Sequence, residues 1–331
     1  VVNRLIRPTP LLLVLLAGIA CNEEFSPKSE FQERTVVYAI AEGSLYPNWT
    51  IISAVVMCSF DMEGVNPAGA TVDPSIRGAT VSVSGAADRQ PLLESRRPGV
   101  DSLTGVGPRW YYTCSLKAFS GETLSLTVDL PDGRRLTAQT QIPSYRQLET
   151  FPDYRKTGVY TSDDPIYYGT AWIFDWQSVA GDQVLFFPSL HLIYERLGDS
   201  GAVSHSREVP LRMVNQGGIR VGEYPGPTTV SRVEYDFEAM DATMRAISEG
   251  DPGKSRYRII GFRWQFQEFD FPLSRYYASV NGYLDAYSVR LDETVFTNIT
   301  GGIGVFGSLF RYSNDYPVDP AYAGRFGYTV P

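Results

Sequence analysis

Three cysteines, two histidines and a few closely spaced carboxylates are the residues in this chain best suited to covalent or proton-transfer chemistry. Cys21 has the most telling surroundings. It directly follows the apolar run 11–20 (LLLVLLAGIA), with Arg4 and Arg7 ahead of it and Glu23 and Glu24 behind. A positive start, a short apolar stretch, small residues and then Cys is the layout of a bacterial lipoprotein signal peptide, in which Cys21 takes the lipid and begins the mature chain. Ten apolar residues reach roughly 15 Å as a helix, whereas a membrane span needs about 20 residues. Gly18-Ile19-Ala20 also fits an ordinary small-x-small cleavage site, which would leave Cys21 unmodified. Each buried acyl CH₂ gains about 0.8 kcal/mol, so several chains on one Cys hold a protein firmly on a membrane.

Cys58 and Cys114 both lie in strand-like runs. An even pair in an exported chain reads as a disulfide, with two separate buried thiols as the alternative. In the chain-entropy model, closing so long a loop contributes about 4 kcal/mol. No His or third Cys lies close enough in sequence to make a metal site of the pair. His191 sits in an alternating apolar run (SLHLIYE), where a structural imidazole is the simpler reading than a general base. His205 lies in a polar stretch (AVSHSRE). No G-x-S-x-G, H-E-x-x-H or P-loop occurs. Asp163-Asp164, Asp175, Glu268 and Asp270 are the candidate acids for a two-carboxylate hydrolase, although Asp163-Asp164-Pro165 reads more simply as turn chemistry. Asn48-Trp49-Thr50 and Asn298-Ile299-Thr300 match glycosylation sequons, which the bacterial leader argues against. No catalytic residue, cofactor motif or metal set is assigned.

The elements that must carry these residues are mostly strands. Residues 35–41, 50–60, 79–84, 110–116, 123–128 and 134–142 are rich in β-branched and aromatic residues or alternate with period two. Pro131-Asp132-Gly133 turns the chain between the last two. About seven strands over 35–143 predict an immunoglobulin- or fibronectin-like sandwich. A Cys58–Cys114 bridge would join its sheets, and Tyr112 stands where a tyrosine corner belongs. No Trp lies between Trp49 and Trp110, so the antibody-type core Trp is missing. A β-rich domain over 150–331 follows, with strands near 168–176, 183–195 and 256–271. Its one amphipathic helix is predicted from Val233, Phe237, Met240, Met244 and Ile247, with Ser231 and Glu234 as a capping box and Gly250 at its end. Residues 276–291 fit strand or helix. The Gly301-Gly302-Ile303-Gly304 run lacks the Lys and helix of a phosphate loop, and reads as a turn feeding a strand from Ile303 or Val305.

The expected organisation is therefore a leader over 1–20, a polar tether over 21–34, the sandwich over 35–143 and the second domain over 150–331. The chain of 331 residues has a net charge of −8 and no basic run, which argues against nucleic acid as a partner. Aromatic residues make up 13%, ample for a large core and suited to a sugar- or protein-binding surface.

The block Thr297-Asn298-Ile299-Thr300-Gly301-Gly302-Ile303-Gly304-Val305-Phe306-Gly307 resembles the C-terminal signature of a Bacteroidota lipoprotein family, domain of unknown function 4249. The N-terminal half is similar to that family too, through Cys21, an early Val-rich strand, the Gly-x-x-Leu-x-Leu-x-Val run at 121–128, Asp132-Gly133 and the Thr-x-Ile-Pro exit at 140–143. Glu23 and Glu24 resemble the surface-export signal of lipoproteins in that phylum. The resemblance implies a non-enzymatic outer-membrane accessory, lipid-anchored on the periplasmic or cell-surface face and associated with a TonB-dependent barrel in nutrient uptake. It carries over no catalytic residue, and it implies that the signature closes the fold. A stand-alone lipoprotein that binds a glycan or peptide is the alternative.

Overall fold

Alternating burial shapes most of this chain. A computed structural model describes residues 33–44, 49–59, 73–86, 88–96, 110–151, 171–177, 183–199, 201–281 and 295–331. Its strands are β1 (Thr35–Ser44), β2 (Trp49–Cys58), β3 (Thr80–Ser84), β4 (Arg89–Pro91), β5 (Leu93–Arg96), β6 (Trp110–Lys117), β7 (Thr123–Asp129), β8 (Arg135–Gln141) and β9 (Leu148–Phe151). They continue as β10 (Ala171–Trp176), β11 (Phe186–Gly198), β12 (Gly201–Val209), β13 (Arg212–Gln216), β14 (Ile219–Glu223), β15 (Arg232–Asp236), β16 (Tyr257–Phe269) and β17 (Ile303–Tyr316). Helices α1 (Phe237–Ala246), α2 (Phe271–Asn281) and α3 (Pro320–Gly324), with a short 3-10 helix at Lys254–Arg256, complete the described elements. The protein is mostly β and built from several sheets.

The main sheet has eight strands in the order β12-β11-β16-β17-β1-β2-β6-β5. A second sheet, β4-β3-β7-β8, contributes Val81, Val83, Leu124, Leu126, Val128 and Leu136 to the same core as Val37, Ile52 and Val56 of the main sheet. Leu124, Leu126 and Val128 point inward while their neighbours do not, the period of a half-buried strand. At the turn between β7 and β8, the Leu130 N–H donates to the Arg134 carbonyl at 2.9 Å and the Gly133 N–H to the Leu130 carbonyl at 3.0 Å. The sheet β15-β10-β9 lays Trp172, Phe174 and Trp176 against Phe262, Trp264 and Phe266 of β16. Phe174 and Trp264 stack with centroids 5.2 Å apart, and Trp172 meets Tyr316 edge-on at 4.8 Å. Such pairs each add about 1 kcal/mol beyond the area they bury.

One ladder decides the topology. β1 runs parallel to β17, from Val36 opposite Ile303 to Ser44 opposite Arg311, and antiparallel to β2 on its other side. β17 starts at Ile303, as the glycine-turn reading predicts. Gly304 has φ +113, and a Cβ there would collide with the Val37 carbonyl. A Cβ on Gly302 would sit 2.8 Å from the Thr35 carbonyl oxygen and collide with the Leu136 side chain. The backbones approach this closely because both positions lack side chains.

Three expectations differ from this structure. The division near 143–150 does not separate two sheets, because β17 from the C-terminal side lies beside β1. Parallel pairing requires a long crossover and so leaves no local trace in sequence. The helix predicted from Val233 begins only at Phe237. Val233 and Tyr235 instead form β15, opposite Phe174 and Trp172 of β10, so tertiary pairing overrides the helical spacing. The Ser231–Glu234 box is therefore unused, and Asp236 precedes α1 with no side-chain cap. Phe237, Met240 and Met244 are buried as the stripe predicts, and of the stretch 276–291 that fitted strand or helix, residues 276–281 are the end of helix α2 while 282–291 lie outside the described residues.

The third difference is the disulfide. Cys58 and Cys114 are free thiols on neighbouring strands of one sheet. Cys114 lies opposite Ile52. Cys58 is further along β2 by roughly 20 Å, at about 3.3 Å per residue. A disulfide needs Cα atoms within about 7 Å. Burial pushes both thiols up to about 11, with a hydrogen bond to Glu33 adding to the shift at Cys58, so neither is activated as a thiolate.

Gly304→Ala is expected to destabilise the protein by about 3 kcal/mol, from the positive φ and the collision with Val37, read as a fall in the urea midpoint. An unchanged midpoint would mean the β1–β17 ladder tolerates a side chain. Denatured without reductant, both Cys58 and Cys114 should take up an alkylating reagent, and a crosslinked 58–114 peptide in mass spectrometry would contradict the free-thiol assignment.

Candidate functional site

A cleft of about 580 Å³ opens where β8 ends, between the exit segment 142–146 and the end of β16. Pro143 lacks the N–H that would continue the strand. The chain then bends around Ser120, whose hydroxyl accepts the Tyr145 N–H at 2.5 Å and lies 3.2 Å from the Pro143 carbonyl. This places Arg146 over Glu268. Nε lies 2.9 Å from both carboxylate oxygens, Nη2 lies 2.6 Å from Oε1, and Nη1 donates to the Gln177 carbonyl at 3.0 Å. The side chains are 11% and 3% exposed, so both charges depend on each other. Removing one partner of such a pair leaves an uncompensated buried charge.

Asp270 lies two positions beyond Glu268 and is also buried. Its Oδ1 accepts the Leu273 N–H at 2.9 Å, in the first turn of α2, and its Oδ2 accepts the Thr140 hydroxyl. Its own N–H donates to the Ser308 carbonyl at 2.9 Å, while the Ser308 hydroxyl donates to the Gln141 carbonyl at 2.7 Å. Burial holds the Asp270 carboxyl above its ordinary value, against the opposing pull of these hydrogen bonds. The cleft thus brings together two of the candidate acids, each already engaged. Glu268 neutralises Arg146, and Asp270 joins β8, β17 and α2. A general acid or base must reach its substrate, and both carboxyls are buried and committed to protein donors.

The other sequence candidates lie elsewhere. Asp175 forms a two-pronged surface pair with Arg232, at 2.7 Å for each contact. His191 stands between Ser189 at 3.2 Å and Ser206 at 3.4 Å, and burial keeps it below its usual value. His205 stacks on Tyr194 with centroids 5.3 Å apart. Asp163, Asp164, Asn48 and Cys21 lie outside the described residues. Asn298 is a clamp: its Nδ2 donates to the carbonyls of Gln139 at 2.9 Å and Phe306 at 2.8 Å, and its Oδ1 accepts the Phe306 N–H at 2.9 Å. Both amide hydrogens are in use, so this sequon has a structural role. Thr300 and Thr137 exchange backbone hydrogen bonds beside it, at 2.8 and 3.2 Å.

Sequence reasoning passed over Arg146, Tyr145 and the Gln139–Gln141 edge. Arg146 sits in a polar stretch with no periodicity, and its partner comes from the far side of the chain. The one available signal was the Thr-x-Ile-Pro exit, which turns out to form the wall of the cleft. Among the described residues no group of His, Cys, Asp and Glu could hold a metal ion, and no helix is long and apolar enough to cross a membrane. The chain matches no protein-family model and no curated protein at a significant level.

Arg146→Ala should cost about 3 kcal/mol or more by stranding Glu268. The double variant with Glu268→Gln should recover much of that loss. Additive losses in a double-mutant cycle of denaturation midpoints would show that the two side chains are not coupled.

Proposed function

We propose that the protein is a non-enzymatic lipoprotein of the outer membrane, anchored through lipid on Cys21, and that it serves as a ligand-binding accessory to a TonB-dependent barrel. The observation that carries binding over catalysis is the state of the cleft's two acids, Glu268 and Asp270, both held in structural bonds. The anchoring half of the reading rests on the leader-like run before Cys21. The barrel partner rests on the resemblance of the 297–307 block to Bacteroidota outer-membrane lipoproteins. The role of Asn298, Gly302 and Gly304 in fastening β17 to β1 and β8 agrees with a signature that closes the fold.

In the same reading, β1 to β8 form an immunoglobulin- or fibronectin-like sandwich, and the strands from β9 onward with α1 extend it. Buried side chains shared between the β4-β3-β7-β8 sheet and the β1-β2-β6 strands support this. So does Tyr112, whose hydroxyl lies 2.9 Å from the upstream Ile76 carbonyl and accepts the Ala79 N–H at 3.3 Å. Burial and a hydrogen bond with Glu94 push that hydroxyl up to about 12.

The test is a mild-detergent pull-down of the tagged protein from its native membrane, beside Cys21→Ala. A stoichiometric barrel that is lost with the variant, together with loss of acyl labelling, is the expected outcome. Recovery of the wild-type protein alone would remove the accessory role.

A further inference from the structure

The binding cleft does not end at Arg146. Gln139 also lines a second hollow of about 490 Å³, which runs over the outer face of β7 and β8 toward Asn298 and Thr300. Each hollow falls within the usual size of ligand pockets, roughly 300–1,000 Å³. From Thr137 to Gln141 the face adds about 13 Å of length at about 3.3 Å per residue. The two hollows meet at Gln139 and together follow the outer face of β8.

Its lining has a consistent chemistry. Along the outer face stand Thr123, Ser125, Thr127, Thr137, Gln139 and Gln141, all neutral hydroxyls or amides. Gln141 donates one amide hydrogen to the Gly121 carbonyl at 2.9 Å, and Gln139 donates one to Ser125 Oγ at 3.3 Å, which orients both side chains. Each amide still has a second hydrogen and a carbonyl oxygen. The charged groups in the floor cancel or are engaged, Arg146 by Glu268 and Asp270 by Thr140 and Leu273. Two aromatic rings complete the lining, Tyr145 at 52% and Phe271 at 50% exposure. Exposed rings beside fixed neutral donors and acceptors suit a ligand with apolar C–H faces and many hydroxyls. A sugar ring offers its weakly positive C–H groups to the negative face of an aromatic ring, and its hydroxyls to amides.

We infer that this groove binds a neutral oligosaccharide, with sugar rings packed on Tyr145 and Phe271 and hydroxyls held by Gln139 and Gln141. This rests on the binding reading above and names its ligand class. A peptide would leave backbone N–H and C=O groups to pair along a groove whose β8 edge is already bonded to Thr300. An anionic ligand would find Arg146, the cation among the described lining residues, already paired with Glu268.

The test is calorimetry on the full-length protein. The probes are cellohexaose, maltohexaose, laminarihexaose and xylohexaose, with oligogalacturonate and a tryptic casein digest as the charged and peptide arms. Saturable binding of at least one neutral hexaose is expected. Tyr145→Ala and Phe271→Ala should each weaken it about tenfold, and Gln139→Leu about threefold or more, with circular dichroism unchanged. No binding of any neutral probe, binding of the charged or peptide arm alone, or binding indifferent to all three variants would overturn the inference. The pull-down separates this from the accessory role: a barrel recovered without saccharide binding leaves the accessory role intact, and saccharide binding without a barrel leaves only the groove assignment.

Discussion

The structure depends on two backbones passing where no side chain fits. β1 and β17 form the parallel ladder at the centre of the eight-stranded sheet, and Gly302 and Gly304 line the approach. The strands on one flank, β2, β6 and β5, reach the other flank only through this ladder. The aromatic layer on β16 and β10 and the aliphatic layer on β7 and β8 therefore join one core because of it. Asn298 then ties the entry of β17 to β8, so the second sheet is fixed by the same stretch of chain.

The second constraint is polar. A buried ion pair is seldom a net source of stability compared with apolar packing, but it fixes geometry strongly. Arg146 and Glu268 set where the exit from β8 lies relative to the end of β16. Asp270 sets where α2 begins and holds Thr140. Between them they tie the walls of the cleft together, and walls fixed in advance would lower the cost of ordering for any molecule held there.

Much of the local structure was legible in the residues. The alternation of Leu124, Leu126 and Val128, the Pro131-Asp132-Gly133 turn, the Phe262-Trp264-Phe266 face and the glycine turn before Ile303 each follow from short-range sterics and burial period. What was hidden is long-range. Nothing near Val36 names Ile303 as its neighbour, and nothing near Arg146 names Glu268. The Cys58–Cys114 pairing failed for the same reason, since export chemistry permits a bond that strand register forbids. The helix start failed because Val233 and Tyr235 satisfy both a helical and a strand period, and only the presence of β10 decides between them. Of the site, Glu268 and Asp270 were named as acids, but their structural use could not be read without their partners.

Pairing the first described strand with the last has a consequence for how the chain acquires this form. β17 follows every other described strand in order of synthesis, so the central ladder cannot close until the more than 250 residues between β1 and β17 have been made. Loop closure must be met before such a contact contributes anything, which makes it a late event. Until then β1 has an open edge toward the place β17 will take, an unpaired row of backbone groups that invites pairing with another chain. The interval before that edge closes is the stage at which this protein is most exposed to misassembly.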